Sequence, residues 1–236
     1  MAADLNPDAS PEVGDEVTER RGRRVIIVRH GQTSWNAEGR AQGHADIGLD
    51  DTGRDQAEAM AQFVAGYDPS VLVSSDLARA RETAAFLEKA TGLTAVEDPR
   101  WREYDLGERT GLTLAEFGQR MGADYDGWSD VHAHVVVPGS ETAQDVAARV
   151  VPALQELLDR LGNGETGVAV GHGASSMIAL AGVLGWPIET ASGIASMHNC
   201  GWATLAETGA GRLRLLSYNL TVPGMAPDSP STGTLG

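Results

Sequence analysis

The 236-residue chain has a single cysteine and no long hydrophobic run. Cys200 has no second thiol with which to form an intramolecular disulfide or a thiolate metal site, so we expect a small, partly buried hydrophobic side chain. No apolar run approaches the roughly 18 residues that a membrane span requires. The sequence therefore predicts a cytoplasmic protein.

Basic residues are also scarce. The chain has 18 Lys and Arg against 33 Asp and Glu, which gives a formal net charge of -15 at pH 7. Because such a surface repels polyanions, neither nucleic acid nor an anionic membrane is expected as a partner. A small anionic ligand remains compatible with this charge, since it responds to a local arginine cluster more than to carboxylates beyond the screening length of about 8 to 10 Å.

The two ends of the sequence carry little apolar periodicity. Residues 1–22 combine scattered acids with prolines, and residues 221–236 are rich in Pro, Gly, Ser and Thr. Both segments are predicted to be disordered, because they offer too little apolar surface to offset the entropy of ordering. Residues 23–220 are predicted to form one domain, since this length is sufficient for a single core.

Strand-like and helix-like segments alternate within this domain. Buried strands are predicted in "RVIIVRH", "SVLVSSD" and "TGVAVGHG", and each is followed by a segment with apolar residues at helical spacing. The segments "GWATLAET" and "RLRLLSYN" predict a closing hairpin around "TGAG". This alternation is typical of an α/β fold with a mainly parallel sheet between helices, a three-layer α/β/α sandwich.

The predicted helices have recognisable ends. The first is expected to be capped by Asp51 or Thr52, and the second is expected to end at Gly92. A long amphipathic helix is predicted to start near Pro138 and Gly139. Its apolar stripe, which we expect in the core, consists of Val146, Val150, Leu154, Leu157, Leu158 and Leu161.

Polar signatures follow three of the predicted strands. They are "RHG" at residues 29–31, "SSDLARARET" at residues 74–83 and "GHG" at residues 171–173. Open α/β sheets bind ligands outside the carboxyl ends of their strands. The three segments are therefore expected to converge on one binding site.

The residue types at these strand ends suit a phosphomonoester, which carries about two negative charges at pH 7. Arg29 and Arg79 can supply planar guanidinium donors, whereas Arg81 lies on another helix face and is expected at the surface. His30 and His172 occupy the same topological position in two strands, which favours chemistry over two unrelated structural histidines. One neutral imidazole can attack phosphorus while the other donates to the phosphoryl oxygens.

Hydrolysis also requires an acid, because the leaving alkoxide must be protonated. The segment "WREYDLGERTG" offers Glu103, Asp105 and Glu108. Local sequence does not separate these three carboxylates.

Five blocks of the sequence, in order, resemble those of the histidine phosphatase (phosphoglycerate mutase-like) superfamily. The blocks are "RHGQTSWN", "GRAQGHADIGLDDTGRDQA", "SSDLARARETA", "REYDLGERTGLT" and "AVGHG". The resemblance extends over about residues 25–219 and implies a phosphoglycerate mutase-like α/β fold. It also implies that neither a metal nor a nucleotide cofactor is needed.

The resemblance implies roles for individual residues. It makes His30 the phosphorylated nucleophile and Glu103 the proton donor. It places the remaining catalytic residues around the phosphate, namely Arg29, Arg79 and His172.

The same resemblance indicates a group of substrate-binding residues. Asn36 matches an asparagine that contacts phosphate in the family. Gln42 and Gly43 fall where family members often contact substrate.

Two segments depart from the family pattern. The sequence has "GERTG" at Gly107 where many phosphatases have an aromatic residue, so the rim beside Glu103 is expected to differ in shape. Residues 120–138 show little family pattern and are expected to form a specificity lid. His132 and His134 in this segment could be a metal pair, but no cysteine or patterned carboxylate accompanies them, and we expect exposed or substrate-facing histidines.

Three functions are compatible with this resemblance, namely a phosphatase, a mutase and a non-catalytic phospho-ligand binding protein. Cofactor-dependent mutases of the family carry an RRSYDPPP-like insert and an RHYG block, and neither occurs in this sequence. A phosphatase is therefore favoured over a mutase, and over a non-catalytic phospho-ligand binding protein, which would need no nucleophile and acid together. The late segments "SMHNCGWATLAE" and "RLRLLSYN" are similar to glucosyl-3-phosphoglycerate phosphatases of the actinobacterial type, although other phosphomonoesters are equally compatible. A homodimer is an expectation from the hairpin-like end of the fold and from family habit.

Overall fold

The computed structural model describes residues 22–121, 137–208 and 211–224, which include one six-stranded sheet. The strands are β1 (Arg24–Arg29), β2 (Pro69–Ser74), β3 (Val96–Glu97), β4 (Thr166–Gly171), β5 (Trp202–Glu207) and β6 (Leu213–Leu220). The helices are α1 (Ser34–Ala37), α2 (Asp51–Ala65), α3 (Ala78–Thr91), α4 (Leu114–Met121), α5 (Ala143–Asp159) and α6 (Gly173–Leu184). Short 3-10 helices lie at Pro99–Trp101, Gly107–Arg109 and Ile188–Gly193.

The sheet is mixed, with the strand order β3-β2-β4-β1-β5-β6. The first four strands in this order pair in parallel, and β5 and β6 form an antiparallel hairpin on one side. The predicted α/β fold with a mainly parallel sheet and a closing hairpin is therefore confirmed. Because β1 and β4 are adjacent and parallel, their carboxyl ends carry His30 and His172 to the same sheet edge.

Alternate residues of β1 enter two separate cores, as a strand buried on both faces requires. Val25 and Ile27 pack with α5 and α6, whereas Ile26 and Val28 pack with α2 and α3. Helices therefore cover both faces of the sheet, which confirms the three layers. Within the described ranges, no helix is long and apolar enough to cross a membrane.

The structure bears out several local expectations and corrects two helix ends. Gly92 follows α3 in the left-handed conformation, and the predicted apolar stripe of the long helix is buried. The cap of α2 is Asp50, whose carboxylate accepts from the Gly53 N–H, instead of Asp51 or Thr52. The long helix α5 starts at Ala143 instead of near Pro138, because Thr142 forms a capping box with Asp145.

The loop that follows β1 is packed closely against the start of α2. A Cβ atom on Gly31 would lie 2.5 Å from the Gly53 carbonyl oxygen, and one on Gly53 would lie 2.0 Å from the Gln32 carbonyl oxygen. Glycine is needed on both sides of this contact, since no backbone could approach so closely past a side chain. The contact fixes the chain immediately after His30.

Candidate active site

His30 lies at the carboxyl end of β1 and is 2% exposed. Its backbone N–H donates to the Gly171 carbonyl, which joins the ends of β1 and β4. Its side-chain Nδ1 is 2.7 Å from the Gly31 carbonyl oxygen. Since a carbonyl only accepts, we assign the imidazole proton to Nδ1, which leaves Nε2 with its lone pair available.

Two effects keep the imidazole of His30 uncharged. Burial is the larger cause and the positive charges of Arg79 and Arg29 add to it, and together they hold the pKa of His30 well below its ordinary value. A neutral imidazole is the form that can attack phosphorus. The local electrostatics therefore favour the nucleophilic form of His30 at neutral pH.

His172 faces His30 across the end of the sheet, with the ring centroids 5.2 Å apart and the ring planes at 60°. The Arg79 Nε–H donates to Nδ1 of His172 at 3.2 Å, so Nδ1 is the acceptor and we assign the proton to Nε2. This Nε2–H points to the Ser75 hydroxyl oxygen at 2.9 Å. Burial, and then the charge of Arg79, lowers the pKa of His172 well below its ordinary value.

Arg79 is a buried cation in the first turn of α3. Its two terminal nitrogens donate to the Gly43 carbonyl at 2.7 Å and the Ala45 carbonyl at 2.8 Å, and its Nε–H goes to His172. Burial lowers the pKa of Arg79 to about 10, an effect that the Glu103 charge partly opposes. Arg79 is still charged at neutral pH, and these three acceptors are all uncharged.

Arg29 brings a second buried guanidinium to the same sheet edge. Its Nη1 donates to the Met197 carbonyl and lies 3.4 Å from the Ser196 hydroxyl oxygen. The two residues that contact this guanidinium group therefore lie in the loop before β5, far from Arg29 in sequence. The charges of Arg29 and Arg79 both act on His30, so both cations contribute to the lowered pKa of its imidazole.

Glu103 is the candidate acid that the fold buries, with 1% exposure. Its Oε1 accepts from the N–H groups of Tyr104 at 3.0 Å and Ser175 at 2.8 Å, and its Oε2 accepts from the Ala174 N–H at 2.9 Å. The carboxylate thus closes the first turn of α6, where a negative charge is favoured. Because α6 begins directly after His172, these bonds join Glu103 to the turn that follows this histidine.

The other two carboxylates lie in more exposed surroundings than Glu103. Asp105 is partly exposed and accepts from the Gly107 N–H, and Glu108 is exposed in an ion pair with Arg120. The fold therefore separates three residues that local sequence left equivalent. Arg81 is exposed, as predicted.

The predicted substrate-binding residues lie in α1 and in the loop that follows it. Oδ1 of Asn36 accepts from the Thr33 N–H at 3.1 Å, and Oε1 of Gln42 is 3.0 Å from the Thr33 hydroxyl. Gly43 contributes its carbonyl to Arg79. Through Gly43, the loop after β1 and the start of α3 are connected at the site.

Sequence reasoning missed a cluster that holds Glu103 in place. Arg149 on α5 donates to the Glu103 carbonyl at 2.8 Å and to both oxygens of Glu141. It also donates to the carbonyls of Arg100 and Arg102. His44 donates to the Glu103 carbonyl at 2.8 Å from the opposite side. These contacts join remote segments, so no local motif could have revealed them.

Three further supporting residues were also without an assigned role. The Ser75 hydroxyl oxygen accepts a hydrogen bond from the Nε2–H of His172, and the Thr83 hydroxyl oxygen accepts one from the Gly31 N–H at 3.0 Å. Both lie in the block "SSDLARARET", so their position in a motif was the available signal. Asn199 donates to the His30 carbonyl at 3.0 Å.

Part of the sequence predictions falls outside the described residues. His132, His134 and most of the predicted lid, residues 122–136, belong to this part, as do residues 1–21 and 225–236. Among the residues that the structure describes, no group of three or more His, Cys, Asp or Glu is arranged to hold a metal ion. Cys200 is buried in the core, as expected for a small hydrophobic side chain.

Fold and site together define an α/β protein that has a buried, positively charged site with two neutral histidines at the carboxyl edge of its sheet. The model of the histidine phosphatase superfamily (branch 1) matches residues 25–221. The chain therefore belongs to this superfamily, which confirms the resemblance seen in the sequence.

Individual relatives are similar over most of the domain. A glucosyl-3-phosphoglycerate phosphatase of Mycolicibacterium vanbaalenii is 36% identical over 192 residues, which cover 79% of this chain and 85% of that protein. A probable phosphoglycerate mutase of Cronobacter sakazakii is 34% identical over 171 residues, which cover 70% of this chain and 76% of that protein. The solved structure of a mycobacterial glucosyl-3-phosphoglycerate phosphatase in complex with VO3 matches with a TM-score of 0.76 at 34% identity, covering 84% of this chain and all of that one.

Replacing Arg149 tests the support beneath Glu103. Arg149→Met removes a donor from three carbonyls and from Glu141, so we expect the free energy of unfolding to fall by about 2 to 4 kcal/mol in denaturant titrations. Arg149→Lys should recover little of the lost unfolding free energy, because one ammonium group cannot reach all of these acceptors. The matched control is Arg160→Met at the end of the same helix, which breaks an exposed ion pair with Glu156 and should cost at most about 1 kcal/mol. Equal losses for the two Met variants would contradict the account.

Proposed function

We propose that the protein is a phosphomonoesterase that hydrolyses a small phosphorylated metabolite through a phosphohistidine intermediate on His30. The observation that carries the proposal is the state of the His30 ring, which is buried and neutral, with Nδ1 donating to Gly31 and Nε2 left free. The names of the phosphatase relatives support the same reaction class. The reaction needs no metal and no nucleotide, and we propose that it takes place in the cytoplasm.

The site favours an anion because it buries two guanidinium groups at one edge of the sheet. Arg79 donates to two carbonyls and one imidazole, and Arg29 donates to the Met197 carbonyl. Buried positive charge of this kind is stabilised by an anionic partner. A phosphoryl group supplies that charge, and its oxygens match the geometry of the guanidinium donors.

The first chemical step forms a bond between Nε2 of His30 and phosphorus. The bond between phosphorus and the ester oxygen breaks, and the leaving alkoxide takes a proton from Glu103, which we propose gains this proton when the phosphoryl dianion binds. Oε1 of Glu103 already accepts two N–H groups and Oε2 accepts one, so Oε2 has the lone pair that can hold this proton. Arg29 and Arg79 stabilise the charge on the transferring oxygens.

The second step returns the enzyme to its initial state. Glu103, now a carboxylate, takes a proton from water, and the water oxygen attacks phosphorus as the bond to Nε2 of His30 breaks. The products are inorganic phosphate and neutral His30. Glu103 releases the proton as phosphate leaves, which restores the carboxylate of the free enzyme.

His172 requires a change of protonation to contribute as predicted. In the ligand-free arrangement its one proton is directed to Ser75, and Nδ1 accepts from Arg79. A bound phosphoryl dianion favours a second proton on this ring. This proton takes the lone pair of Nδ1, so the Arg79 Nε–H must turn from Nδ1 to the phosphoryl group, and the Nδ1–H then donates to a phosphoryl oxygen. We therefore propose that His172 is neutral in the free enzyme and becomes a donor with substrate bound.

Removing the nucleophile should abolish turnover. His30→Ala is expected to lower kcat/KM for an activated aryl phosphate at least about a thousandfold, because the covalent route is lost. Rapid quenching of the unaltered enzyme during turnover should trap an acid-labile phosphoryl group on the peptide that contains His30. Unchanged aryl phosphate hydrolysis by a folded His30→Ala protein would disprove the covalent mechanism.

Glu103 can be tested through the leaving group. Glu103→Gln is expected to slow hydrolysis of an alkyl phosphate by about a hundredfold or more, and to slow an activated aryl phosphate far less, because nitrophenolate leaves without a proton. The control is Glu108→Gln, which changes an exposed carboxylate in the same segment and should leave both rates unaltered. If Glu103→Gln slowed both substrates equally, Glu103 would not be the acid.

The second candidate function is that of a phosphoglycerate mutase, since a relative bears that name. A screen of glycerate phosphates and sugar phosphates, run with a chelator and with or without 2,3-bisphosphoglycerate, separates the two activities. We expect phosphate release without the bisphosphate and in the presence of the chelator, with glucosyl-3-phosphoglycerate among the substrates to be tested first. Isomerisation that depends on the bisphosphate would establish the mutase instead.

A further inference from the structure

Asn199 connects the nucleophile with the predicted phosphate-binding asparagine. It lies in the turn before β5 and is 8% exposed. Its Nδ2 donates one hydrogen to the backbone carbonyl of His30 at 3.0 Å and the other to Oδ1 of Asn36 at 3.3 Å. One side chain thus joins the backbone of His30 to the side chain of Asn36.

Backbone atoms fix the orientation of both amides. The oxygen and nitrogen of an amide have nearly the same shape, so only their partners distinguish them. The His30 carbonyl can only accept, which directs Nδ2 of Asn199 toward it. The Thr33 N–H can only donate, which directs Oδ1 of Asn36 toward Thr33 and Asn199. The assignments agree with each other.

This arrangement leaves Nδ2 of Asn36 as the free end of its amide. Oδ1 accepts from two N–H groups and lies 3.1 Å from the Thr33 hydroxyl oxygen, whereas Nδ2 donates to no group in the part of the chain that the structure describes. An amide turned the other way would present its oxygen to a phosphoryl oxygen, and two acceptors repel each other. The binding contribution of Asn36 therefore depends on which end of its amide is held.

We propose that Asn199 is a positioning residue that acts together with the Thr33 N–H to hold the Asn36 amide with its NH2 group available to the bound phosphoryl group. The inference rests on the proposed function, because it assumes that Asn36 contacts the phosphate. Asn199 acts through Asn36 and does not itself touch the substrate. Its second hydrogen bond, to the His30 carbonyl, fixes the position of the Asn36 NH2 group relative to the nucleophile.

The turn that carries Asn199 is held by other bonds as well. The Cys200 N–H lies 3.1 Å from the Arg29 carbonyl oxygen and 3.2 Å from that of His30. The His198 N–H donates to Oδ1 of Asn219 at 2.7 Å. These bonds remain when the Asn199 side chain is shortened, so a variant at this position can fold while losing the bond to Asn36.

The test compares Asn199→Ala, Asn36→Ala and the double variant. The measured quantities are the inhibition constants of inorganic phosphate and vanadate, together with kcat and KM for an aryl phosphate. Asn199→Ala is expected to raise the inhibition constant of phosphate about tenfold, the size of one lost hydrogen bond to a charged ligand. The double variant should bind phosphate no more weakly than Asn36→Ala alone, since residues that act through one another are not additive.

The matched control removes a different hydrogen bond of the same turn. Asn219→Gly removes the bond to the His198 N–H and retains the left-handed backbone, with φ of 54° at this position. It contacts neither Asn36 nor the His30 carbonyl. We expect a lower unfolding temperature and a phosphate inhibition constant within about twofold of the unaltered protein, because the change affects the turn alone.

The outcomes separate the inference from the function on which it rests. If Asn36→Ala weakens phosphate binding and Asn199→Ala does not, the positioning role is wrong and the proposed function stands. Additive losses in the double variant, or an equal loss in Asn219→Gly, would also overturn the positioning role. If Asn36→Ala leaves phosphate binding unchanged, the predicted phosphate contact is wrong and the inference falls with it.

Discussion

The site depends on the burial of two histidines and two guanidinium groups at one edge of the sheet. Desolvation alone would favour neutral imidazoles, and the neighbouring charges of Arg29 and Arg79 add to this preference at His30. The cations cannot relax into water and are bound by carbonyls and an imidazole. A nucleophile in its reactive form and a positive field, which the charges of Glu103 and Asp46 oppose at Arg79, therefore arise from the same packing.

The sheet explains how these groups come together in an acidic chain. Parallel pairing of β1 and β4 brings the ends of two distant segments side by side, and α3 begins beside them with Arg79. The first turn of α6 then supplies N–H donors to Glu103 directly after His172. Local positive charge at the strand ends coexists with a net charge of -15 on the whole chain, since distant surface carboxylates are screened.

The strand ends that carry the two histidines were predictable from the sequence. Each apolar run, which indicates a buried strand, is followed directly by "RHG" or "GHG", which indicates the functional residue. The choice among Glu103, Asp105 and Glu108 was not, because it depends on which one reaches the start of α6. Asn199 was beyond sequence reasoning for the same reason, since its partner His30 lies 169 positions away. The sequence prediction placed the start of α5 too early because Pro138 and Gly139 are typical of the segment before a helix. The capping box at Thr142 and Asp145 sets the actual start.

The most direct test of the account is the protonation of the two histidines in the ligand-free protein. Nitrogen-15 NMR of the imidazoles over about pH 5.5 to 8, where an ordinary histidine titrates, reports both charge and tautomer. The account predicts that both rings stay neutral, with the proton on Nδ1 of His30 and on Nε2 of His172. A His30 ring that is charged through this range, or that carries its proton on Nε2, would contradict it.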